Sequence, residues 1–209
     1  MLLFQRVFFM PIGLPKVAYR LPNDSEYLWI DLYAQLHRRR LLFLGDILDD
    51  DLSNQLNAAM VYLNIEDPNQ IQYMYINSPG GSVLSGLSVY DTIQYVAATV
   101  STTCVGLAAS MASLVLAGGT PSYRFALPNA RMMIHQPEGS VGGQSGFIKY
   151  EFVEVGRLRE RLVQAYVSRT GQNASQIEYD LYRDAFMSPE AASYYGLIDG
   201  IAQTLPELD

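Results

Sequence analysis

The chain has a single cysteine, two histidines and one tryptophan among 209 residues. One cysteine, Cys104, excludes an internal disulfide and any cysteine-based zinc site. Its place in Thr103-Cys104-Val105 points to a buried thiol rather than a nucleophile. His37 and His135 alone leave little room for a histidine-rich metal site. Charge is scarce too: 17% of residues are charged, against about 25% in ordinary soluble domains. Some face that is usually wet is therefore expected to be buried against other subunits. Cations are the scarcer sign, with 14 Lys+Arg against 21 Asp+Glu, a net charge of −7. That balance excludes a binder of phosphate backbones, which needs a basic face. The one basic cluster, Arg38-Arg39-Arg40, reads as a solvated or inter-subunit helix end. Long apolar runs are absent. Met1-Leu2-Leu3-Phe4 is broken by Gln5 and Arg6 before it reaches signal-peptide length. Cys104 to Gly119 is too short to span a bilayer. A soluble protein without a targeting segment is expected.

What is present is a hydrophobic fraction of 49%, too high for a disordered chain. The length suits one compact domain with a real core. Residues 1–25, with Pro11, Pro15 and Pro22, read as an irregular arm, and 26–209 as a single domain. Asp31 to Arg40 reads as a short helix and Leu41 to Leu44 as a buried strand. Asp51 is expected to cap a helix bearing Leu52, Leu56, Ala59, Met60 and Leu63 on one face. Strands follow at 71–76, 100–105, 124–127 and 132–134, with helices at 83–96 and 110–116. The longest helical pattern runs from Phe147 to Arg169 and is closed by Gly171. Ser188-Pro189-Glu190 opens a last short helix that Gly196 ends. Strands alternating with helices imply an α/β fold with a mostly parallel sheet.

Serine hydrolysis needs a hydroxyl nucleophile, an imidazole base and an orienting carboxylate. His37 sits beside three arginines, whose positive charge opposes uptake of a proton and makes it a poor base. His135 ends the apolar strand Met132-Met133-Ile134, and a strand end is where a parallel sheet presents functional groups. A structural histidine fits that position as well. Ser110 is the best hydroxyl, in Gly106-Leu107-Ala108-Ala109-Ser110-Met111-Ala112, where small residues let a substrate backbone approach. A helix starting there would aim free N–H groups at a developing negative charge. The segment is equally compatible with a helix-capping serine, and it lacks the Gly-x-Ser-x-Gly pattern. Ser78-Pro79-Gly80-Gly81 is a second candidate cradle for an oxyanion, or a plain strand-to-helix turn. The glycines at 142–146 lack phosphate-loop spacing and its lysine.

Four segments together resemble the ClpP family, the proteolytic subunits of the caseinolytic Clp protease. They are Ile76-Asn77-Ser78-Pro79-Gly80-Gly81, Gly106-Leu107-Ala108-Ala109-Ser110-Met111, Met133-Ile134-His135-Gln136-Pro137 and Arg183-Asp184-Ala185-Phe186-Met187-Ser188. Met10 to Val17 further resembles the start of the plastid-encoded form. The resemblance spans residues 26–201. It implies Ser110 as nucleophile, His135 as general base and Asp184 as the carboxylate that orients it, with the N–H groups of Gly81 and Met111 as oxyanion hole. Without it, Asp184 reads as a solvated charge or a partner of Arg183. The implied fold is the ClpP/crotonase-like stack of βαβ turns with a protruding helical handle, here about residues 147–169, and with the 139–146 loop near the site.

The same resemblance implies a serine endopeptidase without cofactor or metal, assembled with other ClpP- or ClpR-type subunits in two stacked heptameric rings. An AAA+ ATPase of the Hsp100 (Clp) type would deliver unfolded polypeptides and would itself consume the ATP. Tyr73, Tyr75 and Tyr95 match positions where the family docks that ATPase, although core packing explains tyrosines there too. The localisation implied is the chloroplast stroma, with a bacterial cytoplasm as alternative. Ala112 stands where the family usually has glycine, adding a methyl beside the nucleophile without removing a catalytic group. A crotonase-type acyl-CoA enzyme and a non-catalytic scaffold subunit are the competing readings. The first would ordinarily use acidic residues rather than Ser110 with His135, and the second would be favoured by loss of a triad member.

Overall fold

The computed structural model describes residues 15–20, 27–137 and 144–204, with the backbone alone at 145–148. Residues 1–9, most of the Met10–Val17 segment and most of the 139–146 loop lie outside the described residues. The chain divides into two compact units, Met1–Arg39 and Arg40–Asp209.

In the first unit, β1 (Lys16–Arg20) pairs antiparallel with β2 (Tyr27–Asp31), placing Lys16 opposite Asp31. A strand thus forms where the sequence suggested an irregular arm. Pro15 stands just before β1 and takes no donor from its ladder. Helix α1 (Leu32–Arg38) starts with the Leu32 N–H on the Pro15 carbonyl, 2.9 Å away. It stops two residues before the expected Arg40, where the backbone turns to φ 60°.

The second unit holds the sheet. Its elements are β3 (Leu41–Leu44), α2 (Asp50–Glu66), β4 (Gln72–Ser78), α3 (Val83–Tyr95), β5 (Val100–Ala109), α4 (Met111–Gly118), β6 (Arg124–Ala126), β7 (Arg131–Ile134), α5 (Ser145–Thr170), α6 (Ala174–Leu181), β8 (Ala185–Met187), α7 (Pro189–Tyr195) and β9 (Gly200–Ile201). The strand order is β3-β4-β5-β6-β9, and β7 pairs with β5 and β8. All of these pairings are parallel except β7 with β8. The ten-residue β5 takes β6 along Thr102–Cys104 and β7 along Leu107–Ala109, so two strands follow one another beside a single long one.

Helix α2 is capped two residues earlier than expected. The Asp49 carboxylate, not Asp51, accepts the Leu52 N–H at 2.9 Å. Asp50 and Asp51 then fall in the first turn, where the helix dipole favours negative charge. Leu56, Met60 and Leu63 are buried on its inner face, each contributing roughly 1.5–3 kcal/mol. All eight residues of α4 are buried, including Ala112 with its extra methyl, so this helix lies inside the core rather than on it. The apolar core joins α2, α3 and α4 to the sheet, together with Leu162, Val163 and Tyr166 from the far end of α5. Tyr150, Phe152 and Val153, in the first part of α5, are exposed.

Arg40 departs from the expectation of a solvated basic cluster. Arg38 and Arg39 are exposed, whereas Arg40 is buried. Its Nη1 donates to the Asp67 carbonyl at 3.0 Å and lies 3.5 Å from that of Gln70, with Nη2 3.7 Å from the Glu66 carboxylate. It therefore satisfies carbonyls at the end of α2, a job that a solvated arginine could not do.

Cys104 is fully buried in β5, and burial pushes its thiol up to about 12. Ellman's reagent at pH 8 is expected to find no reactive thiol in the native protein and one per chain after denaturation. Rapid native labelling would contradict the packing. No helix among the described residues is long and apolar enough to cross a membrane. Among the same residues, no group of three or more His, Cys, Asp or Glu side chains could hold a metal ion.

Candidate active site

Three strand ends converge. In the β5–β7 ladder, Ala109 is opposite Met133, and the Ser110 N–H donates to the Met133 carbonyl at 2.9 Å. Ser110 therefore leaves its strand beside the end of β7, where His135 follows Ile134. In the antiparallel β7–β8 ladder, Ile134 is opposite Ala185. The residue after Ile134 and the residue before Ala185 are then neighbours across the ladder: they are His135 and Asp184. The Gln136 N–H fixes this corner by donating to the Leu181 carbonyl at 2.7 Å.

The side chains meet accordingly. Ser110 Oγ lies 2.8 Å from His135 Nε2, and His135 Nδ1 lies 3.4 Å from Asp184 Oδ1. Ser110 precedes α4 but its hydroxyl makes no capping bond. The hydroxyl faces the imidazole, not the helix. Asp184 is 61% exposed and His135 18% exposed at the side chain. The guanidinium of Arg183 lies over the Tyr179 ring, 6.0 Å from its centroid.

Ser110 is held at φ 54°, ψ −128°, a conformation that costs a non-glycine residue on the order of 1–3 kcal/mol. It makes the sharp strand-to-helix turn that lifts the hydroxyl out of the sheet. The sequence concealed this turn, because no glycine pattern brackets the serine. Glycines stand across from it instead. Gly80 (φ 90°) packs so closely that a Cβ there would lie 2.6 Å from the Ala109 carbonyl oxygen, 2.7 Å from Ser110 Cβ and 3.0 Å from the Met111 nitrogen. A Cβ on Gly81 would lie 2.3 Å from the Leu48 carbonyl oxygen, and the Leu48 and Ser82 amides bond across this turn at 2.9 Å each. The Gly80-Gly81 turn is thus clamped on Leu48 and pressed against the start of α4. Asn77 carries the β4–β5 ladder through its register shift, its Oδ1 accepting the Leu107 N–H at 3.1 Å.

This packing makes a prediction. Gly80→Ala is expected to lower turnover of a short peptide by about 10²-fold, the scale of a 1 Å misplacement of reacting groups, with secondary structure retained by circular dichroism. Wild-type turnover would show that the close approach does not set the site's geometry.

The tyrosines proposed from the resemblance fall elsewhere. Tyr73 and Tyr75 are half-buried on one face of β4, while Met74 and Ile76 enter the core on the other. Phe43 of β3 stacks on Tyr75 with centroids 5.6 Å apart, and the Tyr75 hydroxyl is buried without a hydrogen-bond partner. Burial, and then the neighbouring Tyr73, raise the Tyr75 phenol. Tyr95, at the end of α3, is 84% exposed.

The family model described as Clp protease matches residues 23–205. A protein of Nephroselmis olivacea named ATP-dependent Clp protease proteolytic subunit is 58% identical over 193 residues, covering 92% of this chain and 93% of its own length. Proteins of the same name from Chlorokybus atmophyticus and Mesostigma viride are 54% and 53% identical over 200 residues, each covering 96% of this chain. With the family's match running across the sheet, the clamped glycine turn and the Ser110–His135 contact, the chain belongs to the Clp protease family.

Proposed function

We propose that this chain is the proteolytic subunit of a Clp-type protease, a serine endopeptidase that cuts unfolded polypeptides into small peptides. The observation that carries the reading is the 2.8 Å contact between Ser110 Oγ and His135 Nε2. Ser110 Oγ attacks the scissile carbonyl as His135 Nε2 takes its proton, and the imidazolium then protonates the leaving amine. Asp184 accepts from His135 Nδ1, fixing the tautomer and stabilising the charged ring. The N–H groups of Gly81 and Met111 stabilise the tetrahedral oxyanion. A water, activated by the same imidazole, releases the acyl group. The 3.4 Å His135–Asp184 separation is of the looser kind that tightens when substrate binds.

Residues 26–209 act as a single peptidase domain and residues 1–25 as an arm, in keeping with the family match over 23–205. The subunits form two stacked heptameric rings with ClpP- or ClpR-type partners and meet through α5 as a handle. Large apolar side chains exposed on one chain, among them Tyr62, Ile65, Tyr150, Phe152 and Tyr194, support such burial between subunits. An Hsp100-type ATPase feeds the chamber and docks at Tyr73, Tyr75 and Tyr95. It consumes the ATP that the relatives' name mentions, while peptide hydrolysis itself uses neither cofactor nor metal. The site of action is the chloroplast stroma, a placement supported by relatives from green algae.

Hydrolysis of a short fluorogenic peptide by the assembled protein, without ATP, tests this reading. Turnover that a fluorophosphonate blocks is expected. An assembled ring with no turnover would overturn it in favour of a scaffold subunit.

A further inference from the structure

The carbonyl of Ser110 has an unusual set of partners. It accepts the Ser113 N–H at 3.0 Å and the Ser113 hydroxyl at 2.7 Å. The Tyr166 hydroxyl lies 2.9 Å from Ser113 Oγ and 3.4 Å from the same Ser110 carbonyl. Ser113 has one hydroxyl proton, and it is committed to Ser110. The Tyr166 proton therefore points at Ser113 Oγ and shares the Ser110 carbonyl. Tyr166 is 2% exposed and Ser113 is fully buried. Burial raises the Tyr166 phenol, so the hydroxyl keeps its proton and remains a donor throughout the working pH range. A buried hydroxyl pair of this kind costs free energy unless both members are satisfied, and its acceptor here is the backbone of the strained residue itself. On the other side of that residue, the Ser110 N–H is tied to Met133, two positions before His135.

We propose that Tyr166 is a positioning residue for the hydrolytic serine: through Ser113 and the Ser110 carbonyl it holds the Ser110 backbone at positive φ, and so holds Oγ on the imidazole. The tyrosine belongs to α5, the long helix that exposes Tyr150, Phe152 and Val153 nearer its start. The register of that helix against α4 is thereby read by the catalytic residue. This inference rests on the serine-peptidase reading.

The test is Tyr166→Phe, which keeps the ring and removes the hydroxyl, measured in the assembled protein with a short peptide and a fluorophosphonate. The expected kcat falls about ten-fold, the size that one net hydrogen bond supports. KM should be unchanged, and Ser110 labelling should slow by the same factor. Ser113→Ala should show the same split, and the double variant should lose no more than the worse single one, because the two hydroxyls act as one unit. Wild-type kcat and labelling in Tyr166→Phe, with only a lowered unfolding midpoint, would overturn the proposal and leave Tyr166 a packing residue. If Tyr166→Phe fails to assemble, Ser113→Ala decides by the same criterion. A wild-type protein that is never labelled at Ser110 would instead refute the peptidase reading itself.

Discussion

Ser110→Ala is expected to reduce kcat for peptide hydrolysis by about 10⁴-fold or more while leaving the assembled protein intact. The size follows from the chemistry. On the proposed mechanism no acyl-enzyme would form without Oγ, and the Gly81 and Met111 amides would be left only to polarise the carbonyl for attack by water. Structural integrity should survive because the Ser110 side chain caps nothing. Its N–H bond to Met133 and the bonds its carbonyl accepts from the Ser113 N–H and hydroxyl use only the Ser110 backbone, which alanine keeps. Steady-state kinetics with native mass measurement on the same preparation checks both halves. A loss of less than ten-fold with the ring preserved would mean that another nucleophile does the work.

The largest expected effect on stability lies away from the site. Arg124 is buried, and it donates to the Asp199 carboxylate through Nε at 2.9 Å and through Nη2. Nη1 donates to the carbonyls of Arg169 and Gly196, both at 2.9 Å. One side chain thus joins β6, the end of α5, the turn after α7 and the residue before β9. Arg124→Ala leaves two carbonyls without their donor and a half-buried carboxylate with backbone N–H partners but no cation, and should cost about 3–5 kcal/mol. Burial alone would push the Asp199 carboxyl up. The hydrogen bonds and charge of Arg124 outweigh it and hold the carboxyl below its ordinary value. The pair's contribution is therefore present above the unfolded-state value of about 3.9 and is lost as pH falls through the depressed folded value. Denaturant midpoints measured at fixed protein concentration should differ widely between the two proteins at pH 7, and the gap should narrow below about pH 4. A constant gap across that range would show that the ion pair is not its source.

The alternation of strands and helices in the second unit could be read from periodicity, and so could the two short loops that carry His135 and the Gly80-Gly81 turn. Ser110 was readable as a candidate but not as a choice between cap and nucleophile. What takes the hydroxyl off the helix end is a backbone angle, and no residue type announces a serine at positive φ. Asp184 was opaque for a different reason. It faces His135 only because the three-residue β8 runs antiparallel to β7, and a strand that short leaves no periodic signal. Without the family resemblance, nothing marked Asp184 over Asp180 or Asp199. Arg40 and Arg124 look like surface charges in sequence, and both are buried by carbonyls contributed from distant segments. Tyr166 carries the same lesson: it sits on a mostly polar helix, and its partner is 53 residues away.

The identity of the nucleophile is the point from which every role proposed for this site follows. Treating the assembled wild-type protein with a fluorophosphonate and mapping the adduct by peptide mass spectrometry answers that in one measurement. The expected result is a single phosphonyl group on Ser110, greatly slowed in His135→Ala. An unmodified Ser110 in an assembled ring, or an adduct on any other residue, would contradict the account.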